Sequence, residues 1–365
     1  MKRVLLFGSL LVAATVAVVV LAQPGVMPVV DKNYNPDWKK LRADVTNQAG
    51  SVAIEPRFKG INGDRFAYEI DYRGVSRGTL TEDGKPAEAY YLNAHWATQA
   101  SFKCDEDVLE GRNDLRLAVR YDSMNFLVDN GKARYSGYIG PEIGGRKSMF
   151  HEVARDGTRS EVANIPGWAG INARTVDTNR SMQSGEVAAV AWFSISDHGR
   201  LYNEVYYADF GSPDQRNYPG RFQDPVFVAL GLFAEFPADA SLKVGETVSV
   251  RRRLPVGAGH GATTLYDVTY KLEKLYGTVT EPVGARFSFT AVPAVREHTA
   301  RVDGLDVKFT APDFRNGSLL LDLVKGVPLH MQWAYTLKGS AGGTTFENDI
   351  EFTASLRKEN EANAN

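Results

Sequence analysis

The sequence predicts a mainly β protein with a minority of helix: curved antiparallel sheets or half-barrels around one buried central helix, preceded by a short N-terminal helix. Three observations predict it. Apolar residues alternate with polar ones at period two in segment after segment, the pattern of strands with one covered and one wet face. Tight-turn residues punctuate those segments. One stretch near the middle is apolar on nearly every side and carries helix signals at both ends.

Residues 1–22 read as a signal peptide or an N-terminal anchor. Lys2 and Arg3 precede an uncharged run from Val4 to Leu21, and that charge step orients the run for export. The run is also long enough to span a bilayer. Val20-Leu21-Ala22 presents small residues at both recognition positions, so cleavage is expected after Ala22. No cysteine lies near residue 22, which argues against a lipid-anchored N-terminus. The expected location is exported, in the periplasm or cell envelope of a bacterium. Loss of Lys2 and Arg3 with the leader takes the formal charge from −2 to −4. That balance argues against nucleic acid as a partner.

Residues 23–50 are expected to be a linker and a short helix. Pro24, Gly25 and Pro28 mark the spacer. Asn35 is the expected N-cap and Pro36 the first helical residue, with Trp38, Leu41 and Val45 on one face to dock on the sheet. Residues 51–221 form the first β-rich half. Phe66, Tyr68, Ile70 and Tyr72 alternate with charged or small residues, as do Leu115, Leu117, Val119 and Tyr121. Asp129-Asn130-Gly131 ends a strand. Asp197-His198-Gly199 separates Val187–Ser196 from Arg200–Ala208 as a hairpin.

Residues 222–240 hold the central helix and its link. Asp224 can cap it, Pro225 can start it, and Val226 to Phe236 is apolar until Pro237 ends it. A helix of that composition must be buried on several sides. Residues 241–357 form the second β-rich half, where Tyr266, Val268, Tyr270 and Leu272 alternate, and likewise Ile350, Phe352, Ala354 and Leu356. Asn316-Gly317 reads as turn chemistry between Val307–Thr310 and Ser318–Leu323. About a dozen strands are expected in all. Residues 358–365 have no apolar side chain but alanine and are expected to be disordered.

Phe236-Pro237-Ala238, Leu242-Lys243-Val244-Gly245-Glu246-Thr247, Gly317-Ser318-Leu319-Leu320-Leu321-Asp322 and Gly326-Val327-Pro328 together resemble a pattern in uncharacterised exported bacterial β-domain proteins. The likeness covers about residues 194–356. It implies a β-rich envelope protein and transfers no catalytic residue. The expected architecture also resembles the half-barrels of periplasmic lipoprotein carriers, which wrap a helix around an apolar cavity. That is an analogy of fold alone.

Local chemistry assigns no catalytic, cofactor-binding or metal residue. Gly140-Pro141-Glu142-Ile143-Gly144-Gly145-Arg146-Lys147-Ser148 is one residue out of register for a phosphate loop and reads as an exposed basic loop. His95, His151, His198, His260, His298 and His330 show no metal-ligand spacing, and His198 and His260 are expected to be solvated loop residues. Cys104, among Asp105, Glu106 and Asp107, lacks the surroundings of a nucleophile. Glu69 and Asp71, Asp105 and Asp107, and Glu347 and Asp349 are expected to be wet-face pairs. Tyr90, Tyr91, Trp96, Trp168, Trp192 and Trp333 can line a groove but suit a pleated surface equally. The apolar loop Ile165–Ile171 either packs on the core or forms a contact surface. Arg251-Arg252-Arg253 is expected to be a solvated strand end or, alternatively, to meet an anion.

The function expected is non-enzymatic binding of an apolar ligand or envelope component through the curved sheet, without a cofactor. The alternatives are a structural subunit of an envelope assembly, and a hydrolase with a carboxylate and histidine site drawn from distant strands. The partners are an apolar ligand or an envelope protein, with membrane contact only through an uncut leader.

Overall fold

A computed structural model describes residues 36–48, 52–80, 87–106, 115–143, 146–162, 191–202, 206–207, 225–256, 263–302 and 305–357. The leader, the Trp168 loop, His260 and the C-terminal tail lie outside the described residues.

The first half contributes β1 (Arg65–Leu80), β2 (Glu88–Glu106), β3 (Leu115–Asp129), β4 (Arg134–Ile143), β5 (Arg146–Val153), β6 (Arg159–Glu161), β7 (Ala191–Ile195) and β8 (Tyr206–Tyr207). The second contributes β9 (Thr247–Pro255), β10 (Thr263–Gly277), β11 (Pro282–Pro293), β12 (Glu297–Val302), β13 (Leu305–Thr310), β14 (Phe314–Asp322), β15 (Pro328–Ala341) and β16 (Thr344–Leu356). All belong to one antiparallel sheet whose main order is β6-β5-β4-β3-β2-β1-β16-β15-β14-β11-β10-β9. The halves meet where β1 pairs β16, from Tyr68↔Leu356 to Thr79↔Thr345. The expected alternation is realised: Phe66, Tyr68, Ile70, Tyr72, Tyr266, Val268, Tyr270, Leu272, Ile350, Phe352, Ala354 and Leu356 are all buried.

Helix α1 (Trp38–Arg42) is capped by Asp37, whose carboxylate accepts from the Lys39 and Lys40 amides. The cap thus falls two residues after the expected Asn35, because Asp37 reaches both orphan donors. Leu41 and Val45 are buried, and the Val45 amide donates to Leu275 O at 3.1 Å. Leu41 docks α1 on the sheet as its spacing predicts, whereas Val45 lies beyond the end of the helix and the Trp38 side chain lies outside what is described.

Helix α2 (Pro225–Leu232) is shorter than the apolar run that encodes it. Phe233 still donates to Ala229 O, but the Phe236 amide turns away to His198 O at 2.9 Å. The Asp197–Gly199 turn therefore ends the helical path before Pro237 does. Val228 to Ala234 are all buried, as expected of a helix without a polar side.

Contacts of α2 show that the sheet is curled. Neighbouring strands lie about 4.8 Å apart, so β2 and β9, seven steps apart, would be about 34 Å apart in a flat sheet. Arg252 on β9 donates to Leu230 O at 2.8 Å, and Phe233 meets Phe102 on β2 at 5.2 Å between ring centres. Leu230 and Phe233 are separated by less than one helical turn, about 5 Å. The strands can share so short a segment only if the sheet wraps around it.

An aromatic file crosses the covered face. Phe150, Gly137, Phe126, Trp96, Tyr72, Phe352 and Trp333 are successive cross-strand neighbours from β5 to β15. Trp333 stacks on Phe352 at 4.7 Å, and Trp96 meets Phe126 at a tilt, 4.8 Å between ring centres. Such pairs stabilise a sheet beyond the area they bury. A Cβ on Gly137 would stand 2.0 Å from the Phe126 ring, so glycine makes room for the stacking there.

Two segments differ from their sequence reading. Asn316-Gly317 lies inside β14, where the pairing to both β15 and β11 slips register. Asn316 adopts φ 55°, which makes the pair a bulge. Gly140–Ile143 ends β4 and Arg146–Ser148 begins β5, with Ile139 paired to Ser148. The two flanks of the near phosphate loop are thus strand ends, paired again at Ile143 and Arg146 after a slip in register, and Gly144 and Gly145 lie outside the described residues.

Candidate functional site

The expected motifs are mostly structural. Lys243-Val244-Gly245-Glu246 is a turn closed by its own side chain: the Lys243 amide donates to Glu246 Oε2 at 2.7 Å and Gly245 has φ 92°. Asp322 begins the turn from β14 to β15. Its Oδ1 accepts from the Val324 amide at 2.8 Å and its carbonyl from Gly326 at 2.8 Å. The carboxyl is buried and its Oδ2 has no partner. Burial pushes its pKa up to about 6, against the Val324 and Lys325 amides and the Lys325 charge. Lys325 instead donates to Asp64 at 2.7 Å.

Among the described residues the carboxylate pairs do not converge into one site; the Asp105 side chain and Asp107 lie outside them. Asp349 meets Arg77 at 3.5 Å and Glu347 meets Lys338 at 2.9 Å. Asp71 pairs with His95 and lies 3.5 Å from Arg73. Burial opposes its ionisation, but His95 and Arg73 outweigh that and hold its carboxyl below the usual range. His330 Nδ1 lies 2.9 Å from Ser355 Oγ, and burial lowers its pKa. His298 stacks on Phe309. Cys104 is fully buried. Trp96 and Trp333 belong to the core. Among the described residues no group of three or more His, Cys, Asp or Glu comes together as a cation site.

The structure does assemble a charged cluster at the C-terminal end of α2. Strand parity turns Arg252 inward and its neighbours outward. Arg251 makes a two-pronged pair with Asp267 at 2.7 and 2.9 Å, and Arg253 reaches Thr263 at 3.4 Å. Arg252 is only 5% exposed. Its Nη2 donates to Leu230 O at 2.8 Å and its Nη1 to Tyr270 Oη at 3.3 Å, while Nε has no partner. The expectation of a solvated strand end therefore fails for Arg252. A cation at a helix C-terminus meets carbonyls and the negative end of the helix dipole.

Glu235 and the hairpin after β7 complete the cluster. Burial raises the Glu235 pKa, while Arg252, Arg200 and His198 oppose the rise. His198 Nδ1 lies 2.5 Å from Arg57 Nη1 and 2.8 Å from Asp197 Oδ1. Its tautomer decides whether it accepts from Arg57 or donates to Asp197. His198 is thus clamped at the base of the cluster, contrary to the expectation of a solvated loop. Gly199 fixes the approach: it has φ 80° and an added Cβ would stand 2.0 Å from Ala234 O. The sequence signal for Arg252 was its strand parity, with Val248, Val250 and Leu254 at the same side. Nothing local signalled Arg57 or Glu235, which join through distant chain.

No family model matches the chain, and no curated protein matches it. Among solved structures, DynF from the dynemicin biosynthesis pathway of Micromonospora chersina aligns over 93% of this chain and 96% of its own, at 7% identity and a TM-score of 0.21. At that score the likeness carries no argument about fold or activity.

Proposed function

We propose that this is an exported protein of the bacterial periplasm or envelope that binds an apolar ligand through the inner face of its curved sheet, without catalysing a reaction. The observation that carries the reading is the file of six aromatic rings, spaced by Gly137, that crosses seven strands on the face that wraps α2. These rings are buried in the core, so an apolar ligand would enter between them and α2, where it gains broad contact at little cost in side-chain entropy. Support for export comes from the charge step at Lys2 and Arg3, the apolar run behind it and the Val20-Leu21-Ala22 site. The test is to purify the full chain after expression with its own leader, read its N-terminus, and extract it with organic solvent for mass spectrometry. A chain beginning at Gln23 that carries a lipid in near-equal amount supports the reading. An uncut or unexported chain overturns the export part, and a chain without extractable ligand overturns the binding part.

One observation favours a second reading, a structural subunit of an envelope assembly. Leu265, Val292 and Val295 are exposed at 42%, 46% and 57% at one end of β10 and β11. Beside them, β9 pairs only with β10 among the described residues. Open edges and apolar patches are where chains dock. Crosslinking in intact cells that yields one defined protein, together with an empty organic extract, would replace the first reading with this one.

A further inference from the structure

We propose that Arg252 anchors the anionic head of a single-chain amphiphile, whose tail is received by the aromatic rings beside it. This inference rests on the apolar-ligand reading above and names the ligand's chemistry. Among the described residues no carboxylate lies within ion-pairing distance of Arg252. Its partners are a carbonyl, which is neutral, and a phenol at 3.3 Å. A guanidinium buried without a contact ion pair is costly unless an anion completes it. Its Nε–H, buried and unpartnered, is a donor that neither the helix nor the sheet uses. The planar fork of arginine suits a carboxylate or phosphate better than any other side chain does.

Two neighbours frame the head position. Tyr266, the direct cross-strand partner of Arg252, has a buried hydroxyl without a hydrogen-bond partner. Its ring lies 5.0 Å from Phe314, and its hydroxyl feels Tyr335, Asp313 and Arg296, so it belongs to the neighbouring stretch of the same face. Glu235 acts on Arg252 through space without a contact ion pair, so an anionic head would lie beside that carboxyl and take the unused Nε–H. Around the head position the surroundings are aromatic: Tyr270 lies 4.7 Å from Phe236 and 5.6 Å from Phe289. A charge set among rings defines an amphiphile as the ligand, since neither a free inorganic anion nor a hydrocarbon uses both parts.

The experiment is displacement of 11-(dansylamino)undecanoic acid from the delipidated full chain by palmitate, by lysophosphatidate and by hexadecanol. Palmitate or lysophosphatidate displacing at least about tenfold better than hexadecanol supports the proposal, since a charge-assisted hydrogen bond is worth about that much. The better of the two acids tells whether the head is carboxylate or phosphate. In Arg252→Gln the preference should fall to within about twofold, with hexadecanol unchanged. Equal displacement by all three in the wild type overturns the anchor and leaves apolar binding standing. No binding of any of them overturns both. A preference that survives in Arg252→Gln also overturns the anchor. Should that variant lose its fold by circular dichroism, a diazirine-bearing palmitate replaces it: adducts on β9 and β10 of the wild type support the proposal, and adducts only elsewhere overturn it.

Discussion

The protein buries two formal charges of opposite sign, one in a turn and one inside the curled sheet, and it treats them differently. Asp322 sits in the turn from β14 to β15, where one carboxylate oxygen caps that turn. Arg252 sits inside the curled sheet, reaching across to the end of α2. The carboxyl can shed its charge by taking a proton, and burial pushes it toward doing so. The guanidinium cannot, because arginine stays charged at any pH a protein survives. A structural turn thus tolerates its buried group by protonation, whereas the inner face holds a permanent charge that only another group can neutralise.

Both regions depend on a glycine, and breaking either one gives the largest expected effect. Gly326 has φ 70° and a Cβ there would stand 1.6 Å from Arg57 O, while Gly199 has φ 80° and stands against Ala234 O. In each case the obstacle is backbone, which cannot rotate away. Gly326→Ala and Gly199→Ala should each cost more than about 4 kcal/mol in urea unfolding. Gly63→Ala has the same sign of φ with open space around it and should cost only about 1 kcal/mol. If all three lose the same amount, close approach is not what those turns require.

The next effect separates the two buried charges by pH. The folded pKa of Asp322 is raised, from 3.8 to about 6. The folded state therefore holds the proton more tightly than the unfolded chain between those values. The group's contribution to stability is full below about pH 4 and is lost as pH rises through about 6. A shift of that size corresponds to about 3 kcal/mol. Asp322→Asn keeps an oxygen for the Val324 amide and removes the titration. The stability of the wild type minus that of the variant should fall by up to about 3 kcal/mol from pH 4 to pH 7. A difference that stays flat over that window would show that water reaches the carboxyl.

How much of this was legible follows from how local each signal is. Strand faces were readable because period two is set by each strand alone: Tyr68 and Tyr72, or Tyr266 and Tyr270, need no partner to declare their side. The burial of α2 was readable because Val226 to Phe236 has no polar side to offer water. Its end was not, because Gly199 and His198 arrive from another segment to take over the Phe236 amide. Asn316-Gly317 carries turn residues, and whether they make a turn or a bulge depends on β11 and β15 lying on either side. The same holds for the charged cluster. Arg57, His198, Glu235 and Arg252 are spread over almost two hundred positions, and only the curl of the sheet gathers them.

The smallest effect tests the sharpest contrast in the chain, that between adjacent arginines. Arg251 and Arg252 have the same side chain and adjoining positions, and the pleat sends them to opposite faces. Arg251 grips Asp267 with two hydrogen bonds, which raise the arginine pKa and lower that of the carboxylate. Both groups stand in water, however, and water and salt screen such a pair. Arg251→Ala should therefore lower the unfolding midpoint only slightly, and 1 M sodium chloride should erase most of that change. Arg252→Ala removes donors that Leu230 O and Tyr270 Oη use out of water, so its larger loss should persist in the same salt. Equal losses with equal salt dependence would mean that water reaches Arg252, and the contrast between the two faces would then fail at the position where it matters most.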